Sequence, residues 1–201
     1  MKKILFATLL VFASVMAYAQ PRAIGVRLGE FDGVSYQHSV GDNNMFEFEA
    51  GFNWGNYWGN RMVGWINGNE WHLYGHNVQV AFTYDWIDPF GATFPTMPKG
   101  EWHWYMGVGA AGGYGWYGYV YDRNLGAAGA DENWGFVGAT GRIGVEYDFW
   151  FPLQLSLDFR PTLGAGLAET YNAYDAALRK TVDAGLYYDL FGLCLGVRYK
   201  F

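Results

Sequence analysis

Apolar and polar residues alternate along much of this chain with a period of two, which is the pattern of a strand whose faces meet different surroundings. Ile24, Val26 and Leu28 alternate with Gly25, Arg27 and Gly29. Asp32-Gly33 marks a tight turn, and Val34, Tyr36, His38 and Val40 then oppose Ser35, Gln37 and Ser39. After Gly41-Asp42-Asn43-Asn44, Phe46, Phe48, Ala50, Phe52 and Trp54 oppose Glu47, Glu49, Gly51 and Asn53. Further strands are predicted over 77–86, 102–111, 137–147 and 153–160, and the last over 193–201. In each, one side is greasy and the other small, polar or charged. Eight such segments predict an all-β chain: an eight-stranded antiparallel barrel, connected as an up-and-down meander.

The connections support an even count with both termini at one end. On that topology the far-side connections fall near 30–33, 55–76, 112–135 and 162–187, and the near-side ones near 41–44, 87–101 and 149–152. Three of the four far-side loops are long and two of the three near-side turns are short. The first far-side loop is unusually tight, and the 87–101 connection, with Pro89, Pro95 and Pro98, is long for its side. Trp86, Trp102, Trp104, Tyr147, Phe149, Trp150, Phe151, Tyr199 and Phe201 collect at the near-side rim, the place of an interfacial aromatic girdle.

The ends of the chain add an address. Lys2 and Lys3 precede an apolar run from Ile4 to Val15, and Ala17-Tyr18-Ala19 places small residues where a signal peptidase reads. Residues 1–19 are therefore expected to be a signal peptide cut before Gln20, leaving 20–201 as one barrel domain. No later apolar run approaches the ~20 residues of a transmembrane helix. An exported chain can still span a membrane as a closed barrel. In the final segment Leu193, Leu195, Val197, Tyr199 and Phe201 alternate with Cys194, Gly196, Arg198 and Lys200.

That ending resembles the C-terminal assembly signal of bacterial outer-membrane barrels, an amphipathic strand closing on an aromatic residue, with Tyr199 and Phe201 as its key positions. Together with Leu153-Gln-Leu-Ser-Leu-Asp-Phe-Arg-Pro161, the whole exported part is similar to the small outer-membrane barrels of the OmpA-transmembrane-domain, OmpX and opacity-protein kind. The resemblance implies an outer membrane of the Gram-negative type, with its lipid and lipopolysaccharide and the barrel-assembly machinery as partners. It does not imply one function, because such barrels include adhesins, stabilisers and lipid enzymes.

Composition fits a barrel: 20% aromatic residues, 29 glycines and 16% charged residues. The formal charge is −6, and without the two leader lysines the exported part stands near −8, which argues against nucleic acid as a partner. The single Cys194 cannot form an intramolecular disulfide and reads as an inward filler. The inward faces carry Arg27, Arg142, Arg160, Arg198 and Lys200 against Glu47, Glu49, Glu146 and Asp158. An eight-stranded barrel is just wide enough for side chains to fill it, so these charges predict a paired interior network with little or no channel; a narrow pore is the alternative.

No catalytic site or cofactor is expected. His38 and Ser39 are adjacent, so on a strand they point to opposite faces, and they lie near the inner end. His72, His76 and His103 lack ligand spacing. Gly107 to Gly118 reads as curvature and close packing. The far-side loops are rich in aromatics beside Asn and Gly, including Trp58, Trp65, Trp71 and Tyr74, then Tyr114, Trp116, Tyr117, Tyr119, Tyr121 and Trp134. Trp58, Trp65 and Trp116 are candidate recognition residues for a surface glycan or protein, with an outer girdle as the plainer role. The sequence leaves the ligand and the oligomeric state open.

Overall fold

A computed structural model describes residues 21–29, 32–54, 61–65, 70–91, 93–95, 97–122, 127–171 and 180–201. The expected signal peptide and Trp58 lie outside these residues. The chain forms a closed antiparallel barrel from twelve strand segments: β1 (Pro21–Gly29), β2 (Asp32–Ser39), β3 (Asn44–Asn53), β4 (Arg61–Gly64), β5 (Glu70–Leu73), β6 (His76–Ile87), β7 (Gly100–Asp122), β8 (Ala127–Phe149), β9 (Gln154–Phe159), β10 (Thr162–Tyr171), β11 (Lys180–Asp189) and β12 (Leu193–Lys200). Four pairs of segments share a stave. β9 and β10 both lie on β8, with a kink at Arg160-Pro161, and β11 leads into β12 along β10 and β9. β3 leads towards β4, and β5 into β6. This gives eight staves, β1, β2, β3/β4, β5/β6, β7, β8, β9/β10 and β11/β12, and β12 closes the barrel on β1.

The register sets the tilt. Cross-strand partners of Ile24 run round the barrel through Tyr36, Phe48, Phe82, Ala110, Ala139 and Leu163 to Tyr188. On that last stave, however, Ile24 pairs directly with Tyr199, eleven positions further on. A stagger of this size in eight strands corresponds to a tilt of roughly 40°. Rows of partners therefore climb as they circle from β1 towards β11.

The alternation places side chains as their pattern dictates. Ile24, Val26, Leu28, Val34, Val78, Val80, Val108, Val137, Ile143, Leu157, Leu163 and Leu195 are exposed on the outer wall. Arg27, Ser35, Gln37, Glu47, Glu49, Asn77, Gln79, Thr83, Asp85, Arg142, Gln154, Ser156, Asp158 and Arg198 are buried in the lumen. Cys194 also points inward and is buried.

The far side corrects the expected loops. Most of 112–135 and 162–187 is strand, because β7 runs on to Asp122, β8 starts at Ala127, and β10 and β11 reach Tyr171 and Lys180. Within 55–76, β4 and β5 form a further antiparallel pair.

The tight first connection also has a structural consequence. Its turn holds Gly29 at φ 136°, with the Gly29 N–H donating to Asp32 Oδ1 at 3.3 Å. The ladder from β1 to β12 ends at Gly29↔Cys194, and the ladder from β4 to β11 begins at Arg61↔Tyr188. Above the first hairpin β4 takes the place of β1 along the β11/β12 stave, pairing with β11 where β1 pairs with β12, and β5 pairs with the upper part of β7. The eight-stranded barrel thus continues as a six-stranded ring of β4, β5, β7, β8, β10 and β11.

Candidate functional site

The lumen is filled in layers. In the middle layer Glu47, on β3, is the hub. Its Oε1 accepts from Arg198 Nη2 at 2.6 Å, from Ser35 Oγ at 2.7 Å and from Arg27 Nη1 at 3.3 Å. Its Oε2 accepts from Gln37 at 2.9 Å and from Arg142. Arg27 also donates to Glu49 at 2.5 Å and to Asp158 at 2.6 Å. Arg142 reaches Asp85 and Asp158 at 3.1 Å each, and Arg160 clasps Glu49 with both terminal nitrogens. Arg198 is held further by the Ser35 and Ser156 hydroxyls, each at 2.6 Å. Tyr105 sits in the same layer, donating to Asp158 and accepting from Arg142 at 3.0 Å each. The Arg142 guanidinium carbon lies 4.5 Å from the centroid of the Tyr105 ring.

Charges this deeply buried persist only where each finds a counter-charge and further hydrogen bonds. Small residues make the room. A Cβ at Gly107 would fall 2.0 Å from Asp85 Oδ1, and one at Gly144 would fall 2.6 Å from the Tyr105 hydroxyl.

Seven of the nine charges singled out in the sequence thus share one connected network. The eighth, Glu146, lies lower and pairs with Arg22, which also touches Gln37 and the Met45 sulfur. Met45, Ile87 and Tyr105 form a small apolar cluster at that level. Lys200, also expected inside, pairs with Asp148 at 3.2 Å. Asp85 and Tyr105, on the polar sides of the strands predicted over 77–86 and 102–111, and Arg22, ahead of the first predicted strand, join this interior although none is among the charges expected to pair there.

Above the charged layer the lumen is closed by a second apolar cluster that includes Met62, Trp71, Leu73, Trp134, Phe136, Ala168 and Tyr187. The rings of Phe136 and Tyr187 stack at 4.0 Å and 10°. Trp71 donates to Asp183 at 3.1 Å and Trp134 to the Tyr74 carbonyl at 3.3 Å. Trp71 and Trp134, expected among loop aromatics, are therefore interior plug residues, because strand parity in the six-stranded ring turns them inward.

The candidate recognition residues are not brought together. Trp65 follows β4 and is 65% exposed, its N–H donating to the Ala184 carbonyl at 3.0 Å. Trp116 belongs to an outward cluster with Phe52, Trp54, His76 and Tyr114, with ring centroids 4.7–6.4 Å apart. The opposite rim carries Trp86 on Tyr84, Trp102 on Tyr147, Tyr147 on Phe149, Phe149 on Phe151, and Tyr199 on Phe201. His76 and Trp86 are ten residues apart on β6. At about 3.3 Å per residue and a tilt of roughly 40°, the two belts stand about 25 Å apart.

The histidines meet other partners. His38 contacts the Tyr36 hydroxyl at 3.2 Å, His72 the Tyr74 hydroxyl at 3.3 Å, and His103 the Asp88 carboxylate at 2.6 Å. Among the described residues no group of three or more His, Cys, Asp or Glu side chains is arranged to hold a metal ion.

No family model and no curated relative matches the chain. It is similar to a major outer membrane protein from Thermus thermophilus, whose crystal structure aligns with a TM-score of 0.45 at 13% sequence identity, covering 91% of this chain and 99% of that one.

Proposed function

We propose that this chain is an integral outer-membrane β-barrel protein without enzymatic activity, closed to solutes, that carries a strand-built platform above the membrane. The observation that supports this best is the outer wall: exposed Val, Leu, Ile and Phe lie between two aromatic belts about 25 Å apart, the height of the apolar band of transmembrane barrels. A soluble barrel has no use for so much exposed apolar surface. Packed ion pairs and an aromatic plug inside favour a structural barrel over a pore. On this reading residues 1–19 are an export signal, Tyr199 and Phe201 address the assembly machinery, and the surrounding partners are outer-membrane lipid and lipopolysaccharide.

The platform is the part that meets the outside, and an adhesive role for it rests on the exposure of Trp65 and the aromatic content of the connections. Outer-membrane fractions should contain the protein as a species whose gel mobility shifts on boiling. A soluble periplasmic protein with no shift overturns the membrane reading. Surface binding to glycan or cells that survives Ala at Trp58, Trp65 and Trp116 overturns the adhesive part.

A further inference from the structure

The 87–101 connection, long for a near-side turn, holds the two non-glycine residues that take a positive φ among the described residues, Asp88 at 47° and Phe90 at 63°. A bulky side chain in the left-handed region is strained, and such strain persists only where the surroundings over-determine it. Here β7 supplies the clamp. Asp88 donates its N–H to the Trp104 carbonyl at 2.8 Å, its carboxylate accepts from the Trp104 N–H at 3.1 Å, and it meets His103 Nδ1 at 2.6 Å. On the other side the Ile87 N–H donates to the Asn43 carbonyl at 2.8 Å, tying the connection to the 41–44 turn.

The clamped turn sends its two ends in opposite directions. The Asp88 carboxylate goes to His103, whose cross-strand partner is the buried Glu146. The Phe90 ring instead stands on the wall side, where it borders a cleft of about 490 Å³ together with Trp86 and Met106, a cross-strand pair on the outward face of β6 and β7. This ring is 91% exposed, the most of any large apolar side chain among the described residues. A strained backbone thus holds up an exposed phenyl group, and nothing among the described residues covers it.

Phe94 and Met97, further along, are exposed as well. Pro89, Pro95 and Pro98 fix φ at three positions, so the connection has little freedom to lose on making a contact. Its rings run on into the inner belt: Phe94 lies 6.3 Å from Trp102, and Trp102 lies 4.9 Å from Tyr147. The Lys99 carbonyl accepts from the N–H of Trp150, an exposed ring of the next near-side turn, at 3.3 Å.

We propose, on the reading that the barrel spans a membrane, that this connection is an anchor in the inner lipid surface, which Phe90, Phe94 and Met97 enter beside the aromatic belt. The occupant is lipid because Phe90 shares its cleft with wall residues that face lipid on that reading, and because Phe94 continues the line of belt rings. Charge agrees with it. Of the two charged residues in 88–99, Asp88 is turned to His103, and Lys99 is exposed, a cation suited to a phosphate-bearing surface. The anchor also accounts for a connection longer than a near-side turn needs.

The test uses the full chain carrying Cys194→Ser, folded into nanodiscs of phosphatidylcholine, which leave both faces open to solutes. A fluorophore on Phe90→Cys or on Met97→Cys should be quenched by lipids with a nitroxide near the headgroup. Iodide should reach it severalfold less than it reaches a fluorophore on Asp42→Cys, in the neighbouring short turn. Phe90→Gly keeps the turn, since glycine takes φ 63° without strain, so with Phe94→Ala it should preserve the boiling shift while exposing the Met97→Cys label to iodide severalfold more. Equal access of iodide at 42, 90 and 97 overturns the proposal. So does shielding from iodide without quenching by the labelled lipid, which would make a protein surface the cover, and so does shielding at 97 that survives loss of both rings. A chain that neither enters nanodiscs nor shifts on boiling overturns the membrane reading itself.

Discussion

Arg198, in the last strand, donates to Glu47 Oε1 at 2.6 Å across the lumen, tying the end of the chain to its third strand. β1 and β2 lie between these two strands in the wall, so the contact is a strut rather than a neighbour pairing. Glu47 also holds Arg27 and Arg142, which makes its carboxylate the common acceptor of three guanidinium groups. Replacing Glu47 with Ala leaves buried cations short of counter-charge, and breaking a buried pair from one side costs about 3–5 kcal/mol. The urea midpoint, followed by the boiling-sensitive gel band, should fall accordingly. Glu47→Met with Arg198→Met should cost less than the sum of the two single changes, because the partners disappear together.

The glycines facing the lumen are a second set of determinants. Gly144 lies against Tyr105, whose hydroxyl is fixed between Asp158 and Arg142. A Cβ there falls 2.6 Å from both the Tyr105 hydroxyl and Asp158 Cβ, so Gly144→Ala has to displace an anchored ring. Overpacking of this kind costs about 1–3 kcal/mol. Unfolding in urea should show that loss for Gly144→Ala, whereas Gly141→Ala, whose nearest neighbour is Pro161 Cγ at 3.6 Å, should be close to neutral.

A lumen filled by ion pairs in the middle and stacked rings above should not conduct. Planar bilayers containing the purified barrel are expected to show no stepwise current. Glu47→Ala with Phe136→Ala removes the hub of one layer and a stacked ring of the other, and is the variant in which current steps should appear. Steady conductance by the wild type would refute a closed lumen.

The eight-stranded barrel was legible in the sequence because its walls obey a strict period of two. Glu47 and Glu49 between Phe46, Phe48 and Ala50 can only be inward if the rings face lipid. The same alternation puts Asp85 and Tyr105 on the polar side of their strands. Arg22 was hidden by its place beside the expected cleavage site, and the charged partners of Asp85 and Tyr105, Arg142 and Asp158, come from strands distant in sequence. The six-stranded upper ring was not legible. In that ring the segments carry aromatic and polar residues on both faces, so Trp71 and Trp134 carry no sign of which way they point. The short Gly29–Asp32 turn is visible as an oddity, but that β4 replaces β1 along the β11/β12 stave depends on long-range pairing alone.

The last residue is fixed by its neighbours as well as by its ring. The Phe201 N–H donates to the Arg22 carbonyl at 3.2 Å, next to the pair of Arg22 with Glu146, and its ring meets Tyr199 edge-on at 5.4 Å. If Tyr199 and Phe201 are also what the assembly machinery reads, then Phe201→Ala should lower the amount of boiling-shifted protein in the outer membrane far more than it lowers the urea midpoint of protein refolded in detergent. Equal losses in the two measurements would assign Phe201 a purely structural role.

The first hairpin should not reach the outer edge of the apolar band. Ile24 pairs with Tyr199 of the inner belt, and Gly29 at the turn is only five positions further on. At about 3.3 Å per residue and roughly 40° of tilt, that is a rise of about 13 Å, half of the 25 Å band. The Asp32 carboxylate, accepting from the Gly29 N–H, therefore stands at a depth where an exposed charge is costly. Phe52 is its direct cross-strand partner, and the wall above is carried by Trp54 on that side and Leu193, Phe191 and Leu190 on the other. A fluorophore on Asp32→Cys, with Cys194 replaced by Ser, should be quenched most strongly by lipids carrying a nitroxide deep in the acyl chain. A fluorophore on Trp54→Cys should be quenched most strongly by lipids labelled near the headgroup. Equal depths for the two positions would mean that the bilayer thins beside the hairpin until its surface meets the turn.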